Sequence, residues 1–251
     1  MTLRHPRLNI IDRLARQLGR KLQRASSDLE RHVPGSAAAA QAVQKATIEA
    51  ATITQAELTK AYPQDAVVFA PEAAPRQGWW VDVLGAPVHF STGRDPYGLT
   101  FAWYKGGRLE FAAIYLPTQD ALYAVSRGEG AWGPRQRLRL SDSRGLVGPH
   151  LVAVQELTGP LSWPADITTV NSGWPLFDLL GVANQHLAAA IVAQTHPVVS
   201  QIAALFMLEA GGQISDLKGQ PLTEASTAFV AANSKRHNHV LKVLSAASKK
   251  G

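Results

Sequence analysis

Asp82 ends the apolar run Trp79-Trp80-Val81, and an aspartate at a strand end can do two things. It can accept a neighbouring backbone N–H, or it can hold a weakly bound cation. The first reading is the expected one, because no second carboxylate stands close to Asp82 in the chain. Asp65 and Asp95 fall in predicted turns and read as solvated. His89 could serve as an acid or base near pH 7, yet no carboxylate in its segment is placed to orient the ring. His237 and His239 are two residues apart, which separates them on a helix and argues against a metal pair. There is no cysteine, so disulfides, thiolate nucleophiles and Cys-based zinc sites are excluded. Arg127-Gly128-Glu129-Gly130 reads as a turn between strands rather than a phosphate cradle, since no helix opens behind it.

The elements that must position these residues follow from periodicity. Leu8, Ile11, Leu14, Leu18, Leu22 and Leu29 share one helical face, predicting a helix from Leu8 to about Val33. Arg13, Arg16, Arg20, Lys21 and Arg24 lie mostly off that stripe and read as a solvated face. Pro34-Gly35 breaks the helix, and a second runs from about Ala37 to Lys60. A β region follows, with strands at Val67–Ala70, Trp79–Leu84, Gly98–Tyr104, Arg108–Leu116, Ala121–Arg127 and Arg137–Leu140. Lys105-Gly106-Gly107 marks a hairpin. Trp79-Trp80 reads as a core-and-rim pair. Ser141 to Gly148 reads as a connection between subdomains.

The last hundred residues alternate strand and helix. Strands are expected at Leu151–Gln155, Thr168–Asn171, Ala188–Ala193, Gln213–Asp216 and Ala228–Ala232. Helices are expected at Pro175–Asn184, Val198–Ala210 and Lys235–Ala247, the second capped by Gly211-Gly212. A helix-then-meander half and an alternating half imply a layered α/β (α+β) architecture. We divide it at residues 1–145 and 146–251, packed as one compact unit.

A chain of 251 residues, 46% hydrophobic and 18% charged, has the composition of a globular protein with a sizeable core. No apolar run is long enough to predict a membrane span, and the first residues do not read as a secretory signal. With the lack of cysteine, this predicts a cytoplasmic protein. The net charge of +6 favours acidic partners, although a surplus of that size is more commonly a solubility feature.

The segment from Trp80 to Phe90 resembles the W-[VI]-[VI]-D-P-[IL]-D-G-T-T-N-F signature of inositol monophosphatases. The likeness continues through Gly107-Arg108, Ala112 to Pro117, Leu122-Tyr123, and Arg127 to Arg139. It resumes near Gly173 and runs through Asp178-Leu179 and Pro197 to Glu209-Ala210-Gly211-Gly212. His5 to Ile10 and Lys60 to Gln64 look like the bacterial SuhB branch. Coverage is weakest over residues 142 to 170.

The resemblance implies an αβαβα sandwich, a tendency to form homodimers, and phosphomonoester hydrolysis with two or three magnesium ions. It also implies where the carboxylates that hold those ions should stand. The first aspartate of the signature is kept as Asp82; the second falls at Gly85 and the metal-holding threonine at Pro87. The paired glutamates fall at Ala70 and Pro71, and the aspartate of the second helix at Thr47. The lysine-and-acid loop has become Ala37 to Gln41. In the C-terminal half, the tryptophan–aspartate pair falls at Val198 and Val199, and the substrate-contacting glutamate at Val192. Glu72 lies one residue beyond the lost pair, but Pro71 beside it and a short linker to Asp82 argue against its recruitment.

The expectation is therefore a pseudophosphatase with no cofactor, no catalytic residue and Asp82 as a weak metal-site remnant. SuhB-branch relatives are associated with transcription antitermination and ribosomal RNA synthesis, which implies an RNA or acidic protein partner. The alternative is a magnesium-dependent phosphomonoesterase whose rearranged site draws on Glu72, Asp82 and Asp95.

Overall fold

Leu8–Leu29 forms the first helix, α1, and its buried residues explain why. Ile11, Leu14, Ala15, Leu18, Leu22 and Leu29 recur at three- and four-residue steps, so one face is apolar along six turns. The helix stops at Leu29, short of the expected Val33. His32 donates its backbone N–H to the Leu29 carbonyl in a tight turn. The computed structural model describes residues 5–29, 31–33, 35–141, 150–157, 161 and 163–248. The chain divides into two compact units, Met1–Ser126 with Trp132–Gln136, and Arg127–Ala131 with Arg137–Gly251. The expected boundary at 145/146 and most of the 141–148 connection lie outside the described residues.

In the first unit, α1 and α2 (Ala37–Ala61) pack on a sheet. Ser36 caps α2 by accepting the Ala39 N–H, satisfying a donor that the first turn leaves open. The sheet runs in sequence order from β1 (Ala66–Phe69) through β2 (Gly78–Gly85), β3 (Gly98–Lys105), β4 (Arg108–Leu116) and β5 (Ala121–Ser126) to β6 (Gly130–Trp132). β1 and β2 are parallel, and β2 to β5 form an antiparallel meander. The β3–β4 hairpin turns at Gly106 and Gly107, both at positive φ, as Lys105-Gly106-Gly107 predicted. A short helix, α3 (Pro87–Ser91), follows β2.

Two sequence expectations are corrected here. Trp79 and Trp80 are both core residues, 0% and 1% exposed, rather than a core-and-rim pair. Trp79 joins the core under the helices, while the Trp80 indole N–H donates to the Glu72 carbonyl at 2.9 Å. Arg137–Leu140 is not a strand. Leu138 donates to the Ala131 carbonyl and Leu140 to the Ala210 carbonyl, so its backbone is satisfied piecemeal, without one continuous neighbour.

Gly78 opens β2 at φ 131°, and a Cβ there would lie 2.1 Å from the backbone oxygen of Ala66. Neither backbone can retreat without breaking the β1–β2 ladder. Gly78→Ala is therefore expected to cost about 3 kcal/mol, from overpacking together with a conformation L residues avoid. Urea denaturation measures this directly.

The second unit carries a five-stranded sheet in the order β10-β11-β9-β7-β8. β7 (His150–Gln155) pairs in parallel with both β8 (Ile167–Val170) and β9 (Ala189–Val192). β11 (Phe229–Ala232) runs antiparallel to β9 and to β10 (Gln213–Ser215). Val240 and Leu244 of α6 (Ser234–Ser248) share a core with Val152, Ile191, Val230 and Ala232. α4 (Pro175–Ala183) and α5 (Pro197–Ala210) also contact the sheet. Gly211 ends α5 in the left-handed conformation, as expected. Each unit layers helices against a sheet, which is the layered α/β class that the sequence predicts.

Candidate functional site at the ends of the first two strands

Strand register places the retained aspartate. Phe69 pairs with Val81, and the Ala70 N–H continues the ladder to the Val81 carbonyl at 2.9 Å, so Ala70 stands beside Asp82. β2 is irregular between Asp82 and Gly85, and the chain then turns through Ala86 at φ 57° into α3. One Asp82 oxygen accepts the Leu84 N–H at 3.0 Å. Burial pushes the carboxyl up to about 6, against the smaller opposing pull of that hydrogen bond. No cationic side chain contributes to its charge state.

The side chains around this strand end supply little else. Ala70, Pro71, Gly85 and Pro87 carry no ligating group. The His89 Nδ1 lies 3.0 Å from the Pro96 carbonyl, which can only accept, so Nδ1 carries the proton. The ring is thus oriented by a backbone carbonyl and not by a carboxylate. Glu72 and Asp95 are exposed, and the Glu72 backbone carbonyl is engaged by Trp80. Among the described residues, no group of three His, Asp or Glu side chains is placed to hold one metal ion. Magnesium wants several hard oxygen ligands in octahedral array. Among the described residues, one carboxylate beside Ala, Gly and Pro side chains does not fit that ion.

In the second unit, the corresponding positions are apolar as well. Val192 ends β9 fully buried, opposite Phe229 and Gln155. Val198 is buried and Val199 half-buried in the first turn of α5, where His196 caps the helix by accepting the Val198 N–H at 3.2 Å. His237 is a core residue, 3.0 Å from the Ser215 hydroxyl, and burial lowers its pKa. His239 is half-buried and does not share that contact. The Arg127–Gly130 turn is held by Glu209, whose carboxylate accepts the N–H groups of Gly128 and Gly130 at 2.6 and 2.9 Å.

Three groupings escape a linear reading. Asp65 is not solvated: its carboxylate is 5% exposed and accepts hydrogen bonds from Arg7, Gln77 and the Trp103 indole. Asp178 is buried on α4, where it accepts from Gln155, and burial raises its pKa. A buried acid among Leu176, Leu179 and Leu180 was the available signal. The basic face of α1 is partly neutralised, with Arg13 paired to Glu57, Arg16 to Asp12 and Asp120, and Lys21 to Glu49. Arg20 and Arg24 remain exposed.

No protein-family model matches the chain. A SuhB protein of Neisseria meningitidis serogroup B is 27% identical over 258 residues, covering 96% of this chain and 99% of the relative. The Nus factor SuhB of Escherichia coli K12 is 28% identical over 235 residues, 86% of each chain. An inositol-1-monophosphatase of Mesorhizobium japonicum is 26% identical over 257 residues, 94% of this chain and 95% of the relative. Among solved structures, the SuhB protein of Bartonella henselae superposes with a TM-score of 0.80 at 21% identity, covering 96% of this chain and 100% of that one. The Thermotoga maritima IMPase gives 0.77 at 16% identity, covering 98% and 99%. Along both units, in sequence and in fold, the chain is similar to SuhB and inositol monophosphatase proteins.

Proposed function

We propose that the chain is a pseudophosphatase, keeping the family fold for a binding or regulatory role of the Nus-factor kind. The observation that carries this is the end of β1 and β2, where Ala70 stands beside Asp82, Gly85 and Pro87 follow it in the chain, and no group of three His, Asp or Glu side chains among the described residues is placed to hold a metal ion. Two-metal phosphoryl transfer needs anionic ligands to hold the cations that clamp attacking and leaving oxygens. A single carboxylate next to methyl and pyrrolidine groups cannot balance those charges. The relatives named as Nus factors point to an RNA-containing or acidic partner, and the net charge of +6 suits one. We assign a homodimer as the working assembly, and sedimentation of the pure protein at twice 27.0 kDa is the expected result.

Restoration tests this reading. Ala70→Glu with Gly85→Asp returns two acids to the strand end that holds Asp82. The double variant should bind magnesium in calorimetric titration where the parent does not. Equal affinity in both proteins would mean that the parent holds its ions by another set. That outcome favours a magnesium-dependent phosphomonoesterase with rearranged ligands, the reading that the Mesorhizobium relative's name supports.

A further inference from the structure

A cleft of about 370 Å³ opens in the first unit, and the side chains lining it do not include Asp82. One wall is the start of α1, carrying Leu8, Asp12 and Arg16; the other is the end of β6 at Trp132 and the turn after it, which carries Arg135. Leu122 of β5 adds to the apolar lining. The turn is closed by the Gly133 N–H to the Gln136 carbonyl at 2.8 Å, which holds its two ends together. The volume lies within the range of small-ligand pockets, and it combines an apolar lining with a few charged groups.

The charged groups are arranged unequally. Arg16 is pinned: its Nε donates to Asp12 at 2.9 Å and its Nη1 to Asp120, which also accepts the Tyr115 hydroxyl at 2.7 Å. Its guanidinium is therefore preorganised in the lining of the cleft. Arg135 is exposed and makes no ion pair among the described residues. Asp12 and Asp120 both pair with Arg16, so Arg135 is the lining cation with no acid partner among the described residues, and it stands on the turn that follows Trp132.

We propose that this cleft binds a nucleotide unit, with the base against Trp132 and the phosphate on Arg135 and Arg16. A planar base suits an indole bordered by Leu8 and Leu122, and stacking of this kind tolerates any base. Guanidinium groups match phosphate oxygens, and Arg135 has no acid to compete for it. Asp12 supplies an acceptor for a ribose hydroxyl or a base N–H, and its charge opposes a second phosphate. The same unit occurs as a free nucleotide and within single-stranded RNA. The site stands whether or not Asp82 binds a cation.

Equilibrium dialysis of the full chain with adenosine 5′-monophosphate, and separately with a short single-stranded oligoadenylate, tests it. Saturable binding of either ligand is expected, weakened roughly tenfold in Trp132→Leu, as expected for the loss of one stacked base. Arg135→Glu should weaken binding as strongly and flatten its salt dependence. Tighter binding of the oligonucleotide would assign the site to RNA, and preference for the monophosphate to a free nucleotide; both support the proposal. Because Arg135 is exposed, its variant keeps the fold, and a thermal melt checks Trp132→Leu. Unchanged binding in Arg135→Glu, or no saturable binding of either ligand, would overturn it.

Discussion

Asp82→Asn is expected to raise the stability of this protein at pH 7 and to leave it nearly unchanged at pH 4. Burial holds the Asp82 carboxyl at about 6 in the folded chain, against 3.8 for a free side chain. Between these values the unfolded state releases its proton while the folded state keeps it. The native state therefore loses stability as pH rises from about 4 to about 6, and the full penalty is present above that window. Two pKa units correspond to about 3 kcal/mol, an upper value for a half-buried side chain. Asparagine carries no charge and keeps an oxygen for the Leu84 N–H, so it removes the penalty without orphaning the donor. Thermal melts of both proteins at pH 4 and pH 7 read the difference. Magnesium should not narrow it; a cation bound at Asp82 would reverse the sign, because the aspartate would then be the stabilising residue.

The opposite outcome is expected at Asp65. Asp65→Ala should destabilise by about 3 kcal/mol, in the range found when one partner of a buried ion pair is removed. Arg7 lies 3.3 Å from the carboxylate, with its guanidinium 3.6 Å over the Trp103 ring and 4.7 Å over Tyr62. Without Asp65 that cation would sit between two aromatic faces with no counter-ion, and the indole and the Gln77 amide would each lose an acceptor. Arg7→Ala in the same background should recover part of the loss, because it removes the orphaned charge. A double-mutant cycle in urea isolates the coupling. Independent, additive losses would contradict the arrangement.

These two aspartates also show what the sequence could and could not reveal. The elements were legible because their signals are local: the leucine spacing of α1, the Gly106-Gly107 turn and the Gly211 cap each act within a few residues. Asp82 was legible as a strand-end acceptor for the same reason, its partner being two residues away. Asp65 was misread because its three donors come from positions 7, 77 and 103, which only the fold brings together. Arg137–Leu140 alternates like a strand, yet its partners are single carbonyls in different segments. Trp80 gave no sign that both faces of β2 are covered, and the cleft joins residues 16 and 135, more than a hundred positions apart.

On the pseudophosphatase proposal, Ala70, Gly85 and Pro87 replace the groups that would hold magnesium. Calorimetric titration of the pure chain with magnesium, alongside phosphate release from inositol 1-phosphate, addresses it most directly. No saturable binding and no release above the protein-free rate is the predicted result. Saturable magnesium uptake accompanied by turnover would contradict it.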